Sequence, residues 1–266
     1  SPKGTVHCFE PDLEIFSFLL ENIKINNLTN IVCNSFALQN NHKLKKIILN
    51  KRRAIHDDGR KNTGLSTIEP NPTYVIGAES VSCSTVDNYV KENSIKQVDL
   101  LKIDVEGGDS KVLFGSAKTI EHFSPIIIYE FSPEIDHLIG ISNTRRCFDF
   151  LNSKGYVQYQ ITNDETINQL SDYDGIMGES NILCIPNTIK LETIIYVWLK
   201  LLYVRICWKQ LSPENLNHNS TSKNIKSLIN NLQLMPEMEI TTVIGCRVQC
   251  DFCPQTLLMG RYEEKN

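Results

Sequence analysis

The sequence lacks the features that mark several common classes of protein. Its 266 residues carry a formal net charge of only −4, so no basic surface for nucleic acid is indicated. The chain does not begin with a basic segment followed by an apolar one, and no secretory signal is therefore recognised. With 41% hydrophobic and 22% charged residues, the composition is that of an ordinary globular protein. The length suits one large domain, or one domain and part of another.

No uninterrupted apolar run reaches the roughly 20 residues that a membrane-spanning helix needs. The densest apolar stretch, residues 190–211, is broken by four charged residues, Glu192, Lys200, Arg205 and Lys209. An amphipathic helix is expected there, and its two tryptophans leave contact with a membrane surface open. The following residues, 212–235, are rich in Asn, Ser and Lys and are predicted to form a linker.

The cysteines do not form a disulfide framework. There are nine of them, which is an odd number, and six stand singly inside apolar runs, where a free cysteine behaves as a small hydrophobic residue. This usage favours a reducing compartment, and a cytoplasmic location is expected.

The most informative stretch runs from residue 98 to residue 120. An apolar strand, Val98 to Val105, carries Asp104 near its end and is broken at Glu106-Gly107-Gly108, and a helix is predicted to follow from about Asp109. A strand that is apolar on both faces is typical of a parallel sheet covered by helices, and ligands bind at the carboxyl ends of such strands. Asp104 and Glu106 are therefore candidate site residues. Alternatively, Asp104 is a structural carboxylate and Glu106 only favours the start of the helix.

Two further acids end predicted strands. Glu10 ends the strand Thr5 to Glu10, which is where nucleotide-binding folds place an acid for the ribose hydroxyls. Pro11-Asp12 then opens a predicted helix with an apolar face formed by Ile15, Phe16, Leu19, Leu20 and Ile23. Glu130 ends the strand Pro125 to Phe131 and is expected to face the same cleft as Asp104. The alternatives are that Glu10 is a solvent-exposed acid before the start of a helix, and that Glu130 is an acid at the sheet edge satisfied by a nearby backbone N–H.

The motifs D-L-L-K-I-D-V-E-G, V-L-x-G-x-x-x-x-I and P-I-I-I-Y-E resemble the FkbM-type family of S-adenosylmethionine-dependent methyltransferases, as does the run F-E-P-x-x-x-x-F-x-x-L-x-x-N from Phe9. Asn62 to Ser66 resembles a small-residue patch of that family. The resemblance implies an α/β, Rossmann-like class I methyltransferase sheet over residues 1–188. Its first strand and Gly-rich turn are expected to be missing, because no such turn precedes Glu10.

The same resemblance implies an activity and roles for the acids. A methyl group would pass from S-adenosylmethionine to an oxygen of a small-molecule or glycan acceptor, such as a sugar or secondary-metabolite hydroxyl. Glu10 would hold the cofactor ribose. Asp104 and Glu106 would line the cofactor and acceptor cleft, with Asp104 as the candidate base.

A second motif lies near the end of the chain. Cys246, Cys250 and Cys253 have the spacing C-x3-C-x2-C, which suits three thiolate ligands of a 4Fe–4S cluster with one iron left open. A zinc site or three unrelated thiols are the alternatives. With the β-prone run Glu239 to Ile244 before it, the motif resembles the opening of a radical S-adenosylmethionine enzyme.

The predicted organisation therefore has three parts: residues 1–188 as the methyltransferase domain, 189–236 as an amphipathic helix and linker, and 237–266 as the start of a radical-enzyme domain. A radical enzyme, or a catalytically silent or binding module, remains an alternative function for the chain.

Overall fold

The computed structural model describes residues 4–52, 54–55, 61–62, 66–70, 75–133, 136–137, 142–161, 167–176, 178, 180–189 and 239–243. The predictions made for residues 190–211 and for Cys246, Cys250 and Cys253 lie outside these residues.

Strands and helices alternate along most of the described chain, which confirms the α/β class. The strands are β1 (Val6–Phe9), β2 (Ile31–Asn34), β3 (Ala37–Leu38), β4 (Lys46–Arg52), β5 (Ala54–Ile55), β6 (Lys61–Asn62), β7 (Val75–Ser84), β8 (Leu100–Asp104), β9 (Ile126–Phe131), β10 (Tyr156–Ile161), β11 (Ile167–Gln169), β12 (Ser180–Pro186) and β13 (Glu239–Val243). The helices are α1 (Leu13–Ile25), α2 (Val86–Glu92), α3 (Asp109–Phe114), α4 (Ala117–Phe123) and α5 (Asn143–Ser153), and a 3-10 turn covers Tyr173–Gly175.

Eight strands form the main sheet, in the order β11-β10-β12-β9-β8-β13-β1-β2. The pairs from β9 through β8, β13 and β1 to β2 are parallel. At the other end, β12 runs antiparallel to both β9 and β10. The carboxyl ends of β1, β8, β9 and β13 therefore meet at one edge of the sheet.

The core lies where helices α2 to α5 pack against this sheet. Leu101 and Ile103 of β8 are completely buried, as expected for a strand with apolar residues on both faces. They share one cluster with Tyr129 of β9, Leu113 of α3 and Leu151 of α5. A rigid, well-packed β8 holds Asp104 at its end.

The neighbouring strands β2 and β3 belong to different sheets. β2 pairs with β1 in the main sheet, whereas β3 pairs with β7 in a separate sheet of order β3-β7-β4. The second sheet has its own small core around Leu49, which is fully buried. Its strand β4 also forms a bridge to the loop that contains Thr67.

The single helix predicted after Asp109 is also divided, into α3 and α4. The break at Gly115 and Ser116 allows the Gly115 carbonyl to accept a hydrogen bond from the Asp87 N–H of α2, at 3.0 Å. The Asp87 carboxylate in turn accepts hydrogen bonds from the Thr119 and Lys118 N–H groups, at 2.8 and 3.1 Å. These contacts satisfy the first turn of α4 from another helix, which a local pattern does not reveal.

Helix α1 differs from its prediction in two respects. Asp12 is the N-cap, with its carboxylate accepting a hydrogen bond from the Glu14 N–H, so Pro11 lies before the helix and not at its first position. Of the apolar face predicted to pack, only Ile15 is buried, and Leu20 is 46% exposed.

Residues 239–243 lie at the centre of the main sheet. Strand β13 is placed between β1 and β8 and runs parallel to both. Residues assigned from sequence to the start of a second domain thus pair within the first one.

Gly115 offers a test of the break between α3 and α4. A Cβ atom at this position would lie 3.0 Å from the Gln39 carbonyl carbon and closer still to its oxygen, both of which are backbone atoms that cannot rotate away. Gly115→Ala is expected to lower the free energy of unfolding by about 1–3 kcal/mol, measured by urea denaturation.

Gly77→Ala is the matched control, because nothing lies within 4 Å of a Cβ there. It should change stability by no more than about 0.5 kcal/mol. Equal effects of the two substitutions would contradict the proposed close approach.

Candidate functional site

The strand ends place three acids along one edge of the sheet. The strand pairing aligns Cys8 of β1 with Thr241 of β13, and Thr241 with Lys102 of β8. Glu10 lies two residues after Cys8 and Asp104 two residues after Lys102, so these two acids lie at the same level of the sheet. They are two strand spacings apart, which corresponds to about 10 Å. Ile103 is aligned with Tyr129 of β9, so Glu130 lies beside Asp104. The predicted convergence of these strand ends is thus present.

Glu10 is held where β1 passes into α1. Its side chain is 1% exposed, and Oε1 accepts a hydrogen bond from the Asp12 N–H at 2.7 Å. Its own N–H donates to the Asn34 carbonyl at 3.0 Å, which extends the pairing of β1 with β2. The carboxylate is therefore oriented by the backbone before any ligand binds.

Glu106 occupies an unusual turn after β8. Its φ is 53° and that of Gly107 is 95°, so two successive residues have left-handed backbone conformations. Glycine adopts this conformation without cost, but a residue with a side chain does so only when its surroundings hold it there. The Thr67 hydroxyl donates a hydrogen bond to the Glu106 carbonyl at 2.8 Å. The side chain of Glu106 is 2% exposed.

The loop segment 66–69 connects the two sides of the site. Ser66 Oγ donates to Asp12 Oδ2 at 3.3 Å, and Thr67 reaches Glu106 as described. Glu69 forms an ion pair with Lys111 Nζ at 2.7 Å. All three loop residues are buried. The sequence suggested Ser66 as part of a family patch, but not these contacts.

The site contains more carboxyl groups than cationic groups. Lys102 Nζ lies 2.9 Å from Asp104 Oδ2, and around this ion pair stand Glu106, Asp109 and Glu130. Burial, together with the nearby Asp104, raises the pKa of Asp109 to about 7. Burial and the charges of Asp104, Glu106 and Asp109 raise the pKa of Glu130 to about 10. These carboxyls resist simultaneous ionisation because they share one poorly solvated space.

The acidic residues do not form a metal site in the described part of the chain, where no group of three or more His, Cys, Asp or Glu side chains could hold an ion. Across the same residues, no helix is long and apolar enough to cross a membrane.

Comparison with known proteins identifies the family. The model of the methyltransferase FkbM domain matches residues 1–157, which is more than half of the chain and includes β1, β8 and β9 with their acids. The chain belongs to the FkbM methyltransferase family. No curated protein and no solved structure matches it.

Within this FkbM domain, sequence patterns identified Glu10, Asp104 and Glu106 because each follows an apolar strand. Asp109 and Lys102 were missed as site residues, although both belong to the same motif-bearing segment. Asp12, Ser66 and Thr67 approach from α1 and from an aperiodic loop, and only tertiary structure brings them to the acids.

The raised pKa values predict how the stability of the FkbM domain depends on pH. The ordinary pKa values of Asp and Glu side chains are 3.8 and 4.5, so above about pH 4 the folded protein, in which the pKa values of Asp109 and Glu130 are raised, binds more protons than the unfolded chain. The protons held by these two carboxyls contribute stability that is fully present below about pH 4. That contribution is lost as the pH rises through 7 and towards 10. Glu130→Gln, which is neutral at every pH, is expected to raise the free energy of unfolding at pH 8 by about 1 kcal/mol or more.

Urea denaturation of the variant and the wild type at pH 4 and pH 8 measures this difference, which should vanish at pH 4. Glu21→Gln, on the exposed surface of α1, is the control and should show no such pH dependence. A Glu130→Gln variant that is not stabilised at pH 8 would contradict the assigned charge repulsion.

Proposed function

We propose that this protein transfers a methyl group from S-adenosylmethionine to a hydroxyl oxygen of a small-molecule or glycan acceptor, on a Rossmann-like sheet. The observation that carries the proposal is the alignment of Glu10 and Asp104 at one sheet edge within the segment that matches the FkbM domain. Ligands of open parallel sheets bind at this edge.

The charge of the edge supports a cationic ligand. S-adenosylmethionine carries a sulfonium and an ammonium group, and the surrounding acids outnumber Lys102. Asp109 Oδ1 is buried and has no hydrogen-bond partner among the described residues. A buried carboxyl oxygen without a partner is costly, and a cation or donor from a ligand would offset that cost.

Glu10 is the residue that suits the ribose. A carboxylate has about four lone-pair sites and can accept several hydrogen bonds at once, and the Asp12 N–H orients this one. The ribose hydroxyls would donate hydrogen bonds to the carboxylate, as in other nucleotide-binding sheets. The backbone contact fixes its direction, so little rotational entropy would be lost on binding.

The cofactor supplies an electrophilic methyl carbon on its sulfonium. For transfer, the acceptor oxygen forms a bond to this carbon while the carbon–sulfur bond breaks, and the acceptor hydroxyl loses its proton. Asp104 would accept that proton, with Lys102 holding the carboxylate in position at 2.9 Å. Glu106, on the rigid turn after β8, would orient the acceptor.

Removing the Glu10 carboxylate tests cofactor binding. Glu10→Ala is expected to weaken the affinity for S-adenosylmethionine at least about tenfold, because the hydrogen bonds to the ribose are lost. Isothermal titration calorimetry of the full chain, purified without oxygen, measures the dissociation constant and is accompanied by an iron assay. Glu14→Ala, in the first turn of α1 and exposed, is the matched control and should bind as the wild type does. An unchanged affinity in Glu10→Ala would remove Glu10 from the cofactor site.

Removing the Asp104 carboxylate tests catalysis. Asp104→Asn keeps the shape but takes up the acceptor proton poorly, so the rate of methyl transfer should fall about a hundredfold or more. Release of S-adenosylhomocysteine is measured with a panel of monosaccharides, glycans and hydroxylated small molecules, using an acceptor that the wild type turns over. Asp149→Asn, on the exposed face of α5, serves as the control. Turnover by Asp104→Asn at the wild-type rate would exclude Asp104 as the base.

A further inference from the structure

The position between β1 and β8 is the centre of the main sheet, and a strand from the far end of the sequence occupies it. Glu239, Ile240 and Thr241 pair with Val6, His7 and Cys8 of β1. On its other side, the whole of β13 pairs with the whole of β8, from Glu239 opposite Leu100 to Val243 opposite Asp104. Without β13, β1 and β8 would be about 10 Å apart, too far to form hydrogen bonds with each other.

An empty central position would be costly. The residues next to it, such as Phe9, Leu101 and Ile103, are at most 2% exposed and belong to the main core. The backbone N–H and C=O groups of β1 and β8 that face β13 would lose their partners, at about 1–3 kcal/mol for each group left buried. The sheet therefore requires a strand here.

Residues 239–243 suit this requirement. Ile240, Thr241, Thr242 and Val243 are all β-branched, and such residues favour strands. A strand at the centre of a sheet also needs to be free of proline, and this one is.

The chain can reach the central position. β12 runs antiparallel to β9, and Cys184 pairs with Ile127, so β12 ends at the edge of the sheet where β13 begins. β12 and β13 are three strand spacings apart, or about 14 Å. Residues 187–238 connect them, and a chain of that length spans such a distance with ease.

The central strand also determines the geometry of the acids. Glu10 follows β1 and Asp104 ends β8, so the two are held about 10 Å apart only because one strand lies between them. We propose that residues 239–243 are the strand that completes the methyltransferase sheet, and that their insertion between β1 and β8 assembles the site in which Glu10 holds the cofactor and Asp104 takes the acceptor proton. The second half of this proposal rests on the function proposed above.

A disulfide tests the position of the strand directly. Paired residues of adjacent strands lie about 5 Å apart, within the range that a disulfide spans, and Thr241 is paired with Cys8, which carries a thiol and not a disulfide. Cys33 is paired with Cys8 on its other side and would compete, so it is replaced by serine. The variant Cys33→Ser with Thr241→Cys should form an intramolecular disulfide between positions 8 and 241 under mild oxidation with oxidised glutathione, identified by peptide mass spectrometry.

Cys33→Ser with Thr242→Cys is the matched control. Position 242 lies on the opposite face of the strand from position 241, so it should not cross-link to Cys8. Gel filtration and non-reducing electrophoresis distinguish a disulfide within one chain from one between two chains.

A second pair of variants tests the link to the cofactor. Thr241→Pro removes a backbone donor and disrupts a central strand, whereas Thr241→Val retains the β-branched shape. Calorimetric titration with S-adenosylmethionine should show at least a tenfold weaker affinity for the proline variant and a wild-type affinity for the valine variant. If the proline variant does not fold, this also supports the proposal, because a proline in a linker outside the sheet would be tolerated.

The possible outcomes distinguish a failure of this proposal from a failure of the proposed function. A disulfide within one chain supports the central strand even if the wild type does not bind S-adenosylmethionine, in which case only the proposed function fails. Absence of the disulfide, with equal stability and affinity of the proline and valine variants, overturns the strand assignment. A disulfide between two chains makes a second copy the occupant and overturns the intramolecular assignment. A disulfide within one chain, with unchanged affinity in the proline variant, overturns the link to the cofactor.

Discussion

Backbone hydrogen bonding across β1, β13 and β8 is the constraint on which the rest of the structure depends. A parallel sheet buried on both faces has no water to satisfy its central N–H and C=O groups, so every strand in its interior must have a neighbour on each side. β13 meets this requirement for two strands at once. The same pairing aligns the strand ends, and the positions of Glu10 and Asp104 therefore follow from the register of the sheet.

The acidic residues at the carboxyl-end edge of the sheet reduce the stability of the folded protein. Asp104, Glu106, Asp109 and Glu130 share a poorly solvated space with Lys102. A fold selected for stability alone would not keep these acids together, and the left-handed backbone of Glu106 adds strain at the same place. Strain and like charge concentrated at the end of a well-packed strand are typical of a functional site.

The sequence predicts what is decided locally. Apolar runs in the sequence correctly located β1, β8 and β9, and the candidate acids were found because they stand at the ends of these strands. Sequence patterns did not predict features that depend on contacts between distant residues. The helix predicted after Asp109 is two helices, the second held at its start by Asp87, and β3 pairs with β7 in a different sheet from β2. Ser66 and Thr67 lie in a loop without periodicity, so their contacts with Asp12 and Glu106 had no local signal. Residues 239–243 were predicted to favour a β-strand, but the partners of β13 are distant in sequence, and no local pattern indicates that they are β1 and β8.

That separation in sequence has a consequence during synthesis. The ribosome completes β1, β8 and β12 well before β13, and at about 5–20 residues per second the residues from 187 to 243 take roughly 3–11 s to make. Throughout that interval the nascent chain carries two open strand edges beside its most apolar segments. Open edges of this kind pair with other chains, so chaperone protection during translation matters most in the seconds before the last strand emerges.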